Sequence, residues 1–309
     1  MKVDNEKLLM SEAAVLYYEK KLTQQELANL MNLSRQTVSK LINDAINEKI
    51  VEIKIHNPQK DCEELEARIC DQFGIDSCVV CGVSSRNDTM RRIMTVKAAQ
   101  DYLVPLLNKG GLKIAISWGR TVQSFIEQLP EMNTTGNVVF PLFGATDNNH
   151  AYFSSNELAR GFSDKIGANV KYAWFPYLAD GKEDCLLLKN SSYYRKMQEL
   201  WSSADIAIFG IGNTEILEVF RETFGYSEKH ARVIGDIATH FFDENGEIVD
   251  LYQNTLCASV NDIKNAGKTV AIACGDEKAP AIMSALRTKL IDTLITDEHT
   301  ARLITEYAK

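Results

Sequence analysis

Residues 23–55 read TQQELANLMNLSRQTVSKLINDAINEKIVEIKI, and the spacing of their caps decides the fold of the leading part of the chain. Thr23, with Glu26 three residues on, has the pattern of a capping box: the hydroxyl takes the N3 amide and the carboxylate returns to the cap amide, so a helix starts here. Leu27 and Leu30 give that helix an apolar stripe. Ser34 caps a second helix, along which Val38, Leu41, Ile42 and Ala45 recur at helical spacing as far as Asn47. Only Met31-Asn32-Leu33 lies between them. Asn32 tolerates the left-handed backbone that so sharp a bend requires.

Two helices joined by so short a turn cross steeply and need a small residue where their axes approach, and Ala28 stands there. This is the spacing of a helix-turn-helix. With the apolar set turned inward, Arg35, Gln36, Thr37, Ser39, Lys40 and Asn43 remain on the outer side, able to reach base edges and phosphates from a helix lying in a major groove. Thr23, Gln24 and Ser34, at the starts of the two helices, join Arg35, Gln36, Thr37, Ser39 and Lys40 as the expected DNA-binding set. The competing reading is a small three-helix bundle whose polar face is merely wet. Small residue, turn Asn and apolar stripe coincide here with a hydrogen-bonding outer face, which favours DNA.

The 309 residues, 45% hydrophobic and 25% charged, are long enough for two domains with cores of their own. The formal net charge of −8 opposes binding to phosphates, but it is unevenly spread. Residues 1–57 hold 8 Lys/Arg and 8 Asp/Glu, hence zero, and the excess of acid lies beyond them. Modest DNA affinity per subunit is therefore expected, made sufficient by a dimer or tetramer gripping one site. Seven cysteines, an odd number, occur without an apolar leader or a run of membrane length, which predicts a cytoplasmic protein with reduced thiols and no membrane partner. Cys78 and Cys81 form a C-x-x-C, but inside a strand-like run they read as packing residues. No second pair completes a metal site, and the five histidines are scattered, so neither metal nor cofactor is expected.

In chain order, Asn5 to Lys20 reads as a first helix and Ile50 to Ile55 as a short alternating strand that ends at Asn57-Pro58. The domain boundary is placed there: 1–57 for the helix-turn-helix domain, 58–309 for an effector-binding and oligomerisation domain. Cys62 to Phe73 carries Leu65, Ile69 and Phe73 at i, i+4, i+8, a helix that Gly74 stops. From Asp76 on, apolar runs alternate with helical patterns. The runs are Ser77–Cys81, Lys113–Ser117, Val138–Phe143, Val170–Phe175, Ile206–Phe209, Thr269–Cys274 and Thr293–Thr296. The helical patterns are Thr89–Leu107, Val122–Leu129, Asn156–Ile166, Leu187–Trp201, Ala279–Lys289 and His299–Tyr307. Strands that are apolar on both faces belong to a mostly parallel sheet covered by helices, so the second domain is α/β and Rossmann-like.

In such a sheet the ligand crevice lies beyond the carboxyl ends of the strands, where glycines admit close backbone approach and helix starts offer N–H groups to anions. Ser117-Trp118-Gly119-Arg120-Thr121 supplies two hydroxyls and a guanidinium beside a helix start, a set that suits a phosphate. Gly144 and Thr146, then Gly210 and Gly212, end the neighbouring strands in the same manner, and Gly275 ends the sixth, where Lys278 supplies a second positive charge. Each glycine turn alone has a purely structural explanation. Four together, two with a cation adjacent, point to an anionic small molecule. Asp236 is open to two roles, acceptor of a sugar hydroxyl or helix cap.

Taken together, Leu16-Tyr17-Tyr18, Leu22-Thr23-Gln24-Gln25 and Leu33 to Leu41 resemble the N-terminal domain of the SorC/DeoR-type bacterial sugar-responsive transcriptional regulators. Ser117 to Thr121, Gly235-Asp236-Ile237, Phe241-Phe242-Asp243 and Ala281 to Arg287 resemble that family's effector-domain motifs, in family order. The resemblance implies a regulator of a carbohydrate operon, an effector domain related in fold to sugar-phosphate isomerases, a phosphorylated sugar as effector, and homo-oligomers, commonly tetramers. It puts phosphate on Gly119, Arg120, Thr121 and Lys278, and sugar hydroxyls near Asp236 and Asn156. Phe143 departs from the pattern, standing where some members carry a basic residue before a glycine pair, and Ala145 replaces the second glycine. A ring there shrinks or dries that side of the pocket.

The function expected is a DNA-binding regulator whose operator affinity is reset by a sugar phosphate. The alternative is an isomerase-like enzyme with an appended DNA-binding domain, using Asp236 and His240 as acid and base. The sequence offers no activated nucleophile, metal motif or phosphate-binding GxxxxGK[ST] loop, and no catalytic residue is assigned. A third reading, a scaffold docking partners through the Cys62–Phe73 helix, leaves the polar recognition face idle.

Overall fold

The computed structural model describes residues 2–53, 62–146, 154–215, 217–218 and 228–307, with the side chains of residues 2–5 left aside. The chain divides into two compact units, Met1–Pro58 and Gln59–Lys309. The boundary expected after Asn57 falls among residues outside those described. No described helix is long and apolar enough to cross a membrane.

In the first unit, α1 (Lys2–Ala14) runs on through a π-helical turn (Val15–Glu19), and is followed by α2 (Gln24–Met31) and α3 (Arg35–Asn47). Both caps form. Thr23 and Glu26 make the reciprocal capping box, and the Thr37 amide donates to Ser34 Oγ at 3.1 Å. Asn32 takes the left-handed conformation, with φ 53°, and the Leu33 amide donates to the Ala28 carbonyl, closing the turn. Met10, Ala13, Leu27, Ala28, Val38, Leu41, Ile42 and Ala45 are buried together as its core. The strand expected at Ile50–Ile55 does not form over residues 50–53, and residues 54 and 55 lie outside those described. The cause is local: the Ile50 and Val51 amides both donate to the Ala45 carbonyl, which folds this stretch back onto the end of α3 with both side chains against the core.

The second unit is built on a parallel sheet. Its strands are β1 (Ser77–Cys81), β2 (Lys113–Ile116), β3 (Val138–Pro141), β4 (Asn169–Val170), β5 (Ile206–Phe209), β10 (Thr269–Ile272) and β11 (Thr293–Asp297), in the order β1-β11-β10-β5-β2-β3-β4. Every described ladder in it is parallel. The strands are apolar because helices cover both faces. These helices are α4 (Glu63–Phe73), α5 (Asp88–Leu107), α6 (Arg120–Gln128), α7 (Ser155–Ile166), α8 (Lys182–Lys189), α9 (Ser192–Trp201), α10 (Val260–Lys264), α11 (Ala279–Arg287) and α12 (Glu298–Tyr307). Cys78 and Cys81 are buried strand residues, and burial pushes the Cys81 thiol up to about 12.

Three expectations change. The run Val170–Phe175 contributes only Val170 to the sheet, as the second residue of β4, because the Ala173 amide turns away to Asn156 Oδ1. Leu187–Trp201 is two helices rather than one, with Ser191 capping the second through the Tyr194 amide at 3.2 Å. Gly235-Asp236-Ile237, where Asp236 was open to a helix-cap role, is instead a strand of a second, antiparallel sheet. That sheet, β6 (Gly212–Asn213), β7 (Gly235–Ile237), β8 (His240–Phe242) and β9 (Ile248–Val249), pairs in sequence order. Gly235 is required there: a Cβ would stand 2.3 Å from the Gly212 carbonyl oxygen.

The sheet order has a consequence for function. From β2 the chain proceeds to β3 and β4 on one side, then returns to place β5 on the other. The order therefore reverses between β2 and β5, where a crevice opens at the carboxyl ends of parallel strands.

Candidate functional site

On the first unit, Arg35, Gln36, Thr37 and Lys40 are exposed and Ser39 is half-buried. The hydroxyls of Thr23 and Ser34 are committed to their caps, and hydrogen bonds from Thr23 hold the Glu26 carboxyl below its usual range. Arg35 and the residues leading into α2 converge on one open groove of about 790 Å³, lined by Tyr17, Tyr18, Lys21, Thr23, Gln24 and Arg35 among others. This brings the starts of α2 and α3 to one surface. Tyr17, Tyr18 and Lys21 were not in the expected set. Tyr17 and Tyr18, quoted in the sequence as part of the family resemblance, lie in the π-helical turn, and Lys21 follows it.

On the second unit, the crevice between β2 and β5 is walled by Ser117-Trp118-Gly119 on one side and Gly210-Ile211-Gly212 on the other. Ser117 is 1% exposed and its Oγ has no hydrogen-bond partner among the described residues. Gly119 adopts φ +117°, a conformation open to glycine, and is followed at once by α6, which no side chain caps. The first amides of α6 are thus available to an anion, with Arg120 beside them and Thr121 buried below. The Arg120 guanidinium pairs with Glu215 at 3.1 Å.

β10 lies on the far side of β5 and is followed, three residues on, by Gly275, with φ +121°. Lys278 follows it and donates from Nζ to the Ile211 carbonyl at 3.0 Å. Burial pushes its ammonium below the usual range, and the positive charge of Arg120 adds to that shift while Asp236 opposes it. Asp236, 3% exposed, is pushed up to about 6 by burial, against a hydrogen bond from the Thr239 amide, one from the Trp118 side chain and the charge of Lys278. Lys278 therefore feels the charges of both Arg120 and Asp236. Beneath them the floor is aromatic: Trp118 meets Phe143 with centroids 5.0 Å apart, and Phe143 meets Tyr177 at 6.0 Å. Phe143 is wholly buried, so its ring is part of the dry floor that desolvates Asp236.

The structure thus brings Ser117, Gly119, Arg120, Thr121, Gly210, Gly212, Asp236 and Lys278 to one edge of the sheet. Two expected residues have structural partners instead. Gly144 passes so close to the next segment that a Cβ would lie 2.4 Å from the Pro176 carbonyl oxygen. Asn156 spends its amide on the backbone of Ala173, donating to the carbonyl at 3.1 Å and accepting from the amide at 3.0 Å. Thr146 is half-buried and ends the described stretch beyond β3. Two residues went unassigned in the sequence: Trp118, quoted inside its motif without a role, and Glu215, which no local pattern marks.

A second charged cluster braces the same edge. Arg91, on α5, reaches Asp297 at the end of β11, Asp276 at 2.7 Å and Thr300 at 2.9 Å. Among the described residues no group of three or more His, Cys, Asp or Glu is placed to hold a metal ion.

A family model described as "Putative sugar-binding domain" matches residues 57–306, and another, "Sigma-70, region 4", matches residues 12–48. The sorbitol operon regulator of Klebsiella pneumoniae is 29% identical, over 96% of this chain and 97% of that protein. The deoxyribonucleoside regulator of Bacillus subtilis is 26% identical, over 98% of this chain and 99% of that one. The crystal structure of the full-length sorbitol operon regulator SorC from Klebsiella pneumoniae matches with a TM-score of 0.76 at 29% identity, covering 96% of this chain and 98% of that one.

Proposed function

This chain belongs to the sugar-binding-domain family of SorC/DeoR-type transcriptional regulators, and from that premise we propose that a phosphorylated sugar bound in the β2–β5 crevice resets its affinity for operator DNA. The observation that carries this reading is the convergence of the uncapped start of α6, Arg120 and Lys278 around the buried carboxylate of Asp236. A phosphate takes the helix amides and the two cations. A sugar hydroxyl finds its acceptor in Asp236, which is placed by Trp118 and Thr239. Residues 1–57 are the DNA-binding part, reading base edges with Arg35 and Gln36, while Thr23, Gln24, Ser34, Thr37, Ser39 and Lys40 position the helices and meet phosphates. The neutral balance of charge in that part supports a dimer or tetramer as the operator-binding species.

Coupling follows from thermodynamics: the effector shifts operator occupancy by binding one arrangement of the protein better than another. Catalysis is disfavoured by the strand register. Asp236 stands opposite Phe241, and His240 opposite Ile237, so the proposed acid and base point to opposite faces of the β7–β8 hairpin. His240 Nε2 is moreover engaged with the Ala258 carbonyl at 2.8 Å.

A thermal-shift panel of sugar phosphates tests the site. A ligand at about 100 times its dissociation constant adds roughly 2.7 kcal/mol to folded stability. No shift with any phosphorylated sugar overturns the effector assignment.

A further inference from the structure

The two cations of this crevice share a single protein partner. Arg120 pairs with the carboxylate of Glu215 at 3.1 Å, and Lys278 donates to the carbonyl of Ile211 at 3.0 Å, so one short segment, Gly210 to Glu215, satisfies both. The same segment is tied to the third charged group, because Gly212 pairs with Asp236 between β6 and β7. Its far end is held by the Glu215 amide, which donates to Asn213 Oδ1 at 3.3 Å. It also leaves β5 at the point where the order of the sheet reverses. Every charge an anionic ligand would use is thus already in contact with residues 210–215.

An anion that takes Arg120 and Lys278 competes with the Glu215 carboxylate for one and with the Ile211 carbonyl for the other. We propose that the Gly210–Glu215 segment is the element that registers occupancy of the crevice, released at Glu215 and Ile211 by the arriving anion and retained at Gly212 by its pairing with Asp236. This rests on the reading of the crevice as an anion site given above. Glu215 then has a second role, as the internal competitor that sets ligand choice. A phosphate dianion offers more charge than a carboxylate and several acceptor oxygens, so it can replace Glu215 on the guanidinium, whereas an uncharged sugar leaves the pair intact. The threshold is low. Arg120 and Glu215 are 59% and 65% exposed, and pairs of that kind cost a competing anion no more than about fivefold in affinity.

The test uses the full chain with inorganic phosphate as the probe, titrated by calorimetry into wild type, Glu215→Gln and Glu218→Gln. Glu218 is an exposed carboxylate three residues on and controls for loss of the same charge. The expected result is that Glu215→Gln binds phosphate about two- to fivefold more tightly than wild type while Glu218→Gln does not. Amide exchange of residues 211–215 should also rise when wild type is saturated with phosphate. Equal affinity of wild type and Glu215→Gln, equal tightening in Glu218→Gln, or unchanged exchange on saturation overturns the proposal and leaves the anion site standing. Failure of all three proteins to bind phosphate overturns the site, and the proposal with it.

Discussion

The guanidinium of Arg91 donates to both carboxylate oxygens of Asp297, from Nε at 2.9 Å and from Nη2 at 3.1 Å, and the two side chains are 2% and 0% exposed. They join the start of α5 to the end of β11, while Asp276 and Thr300 bring β10 and α12 into the same network. Burial alone would lower the Arg91 pKa, and its hydrogen bonds and charge partners raise it above the ordinary value instead. Removing one member leaves an uncompensated charge in a dry place, at a cost of about 3–5 kcal/mol. Arg91→Met is therefore expected to lower the denaturation midpoint steeply. Arg91→Lys should recover little, because an ammonium cannot engage both oxygens of Asp297 in a fork. Unfolding in urea, compared at constant m-value, checks both.

Asp236 makes stability depend on pH in the opposite sense to a salt-bridged carboxylate. Its folded-state value, about 6, lies above the unfolded one near 3.8, so between these values the folded protein holds the proton more tightly. Stability conferred by that proton is present below about pH 4 and is lost as pH rises through 6. Asp236→Asn removes the dependence. The variant is expected to exceed wild type in stability at pH 8, by on the order of 2 kcal/mol, with the gap closing towards pH 4. A gap of the same size at both pH values would show that Asp236 is not the group responsible.

The features legible in the sequence are those with local causes. Thr23, Asn32 and Ser34 announce the helix-turn-helix because caps and left-handed turns are decided within four residues of chain. The buried strands announce themselves as unbroken apolar runs, and their glycine ends mark the edge of the sheet where the crevice lies. The antiparallel sheet was not legible, since strands of two or three residues such as β6 and β7 carry no detectable period. Nor was the partnership of Trp118 with Asp236, or of Arg120 with Glu215, since each joins residues remote in sequence that only the sheet order brings together. Ser191 shows the reverse failing: a cap residue was present within the polar run Lys189-Asn190-Ser191-Ser192, and Leu187 to Trp201 was read as one helix across it.

The outer side of α3 should be separable from its core. Arg35 and Gln36 are exposed, so replacing either by Ala leaves folded stability within about 0.5 kcal/mol of wild type. If the side chain reads a base, operator binding is expected to weaken by about 1–3 kcal/mol. Lys40→Ala should instead weaken all duplexes alike and flatten the salt dependence by about one unit of slope. Fluorescence anisotropy with operator and scrambled duplexes at several salt concentrations distinguishes the two. Unchanged operator affinity in both Arg35→Ala and Gln36→Ala would remove α3 from the recognition role.

Lys278→Ala and Thr121→Ala should part the two activities from the other end. Both residues lie in the second unit, and neither is offered to DNA, so operator affinity of the free protein is expected to stay at the wild-type level in each. Lys278→Ala takes away a desolvated cation that donates to the Ile211 carbonyl. Charge-assisted bonds to phosphate are worth about 1.5–3 kcal/mol, so the effector concentration needed to shift operator binding should rise about tenfold or more. Thr121→Ala removes a hydroxyl next to the first amides of α6, a neutral contact worth about 1 kcal/mol, and the response should move by roughly fivefold. The ordering is the informative part. Equal and small shifts in the two variants would mean that the ligand does not place its charge between α6 and Lys278, whereas the graded loss fits an anion held by both.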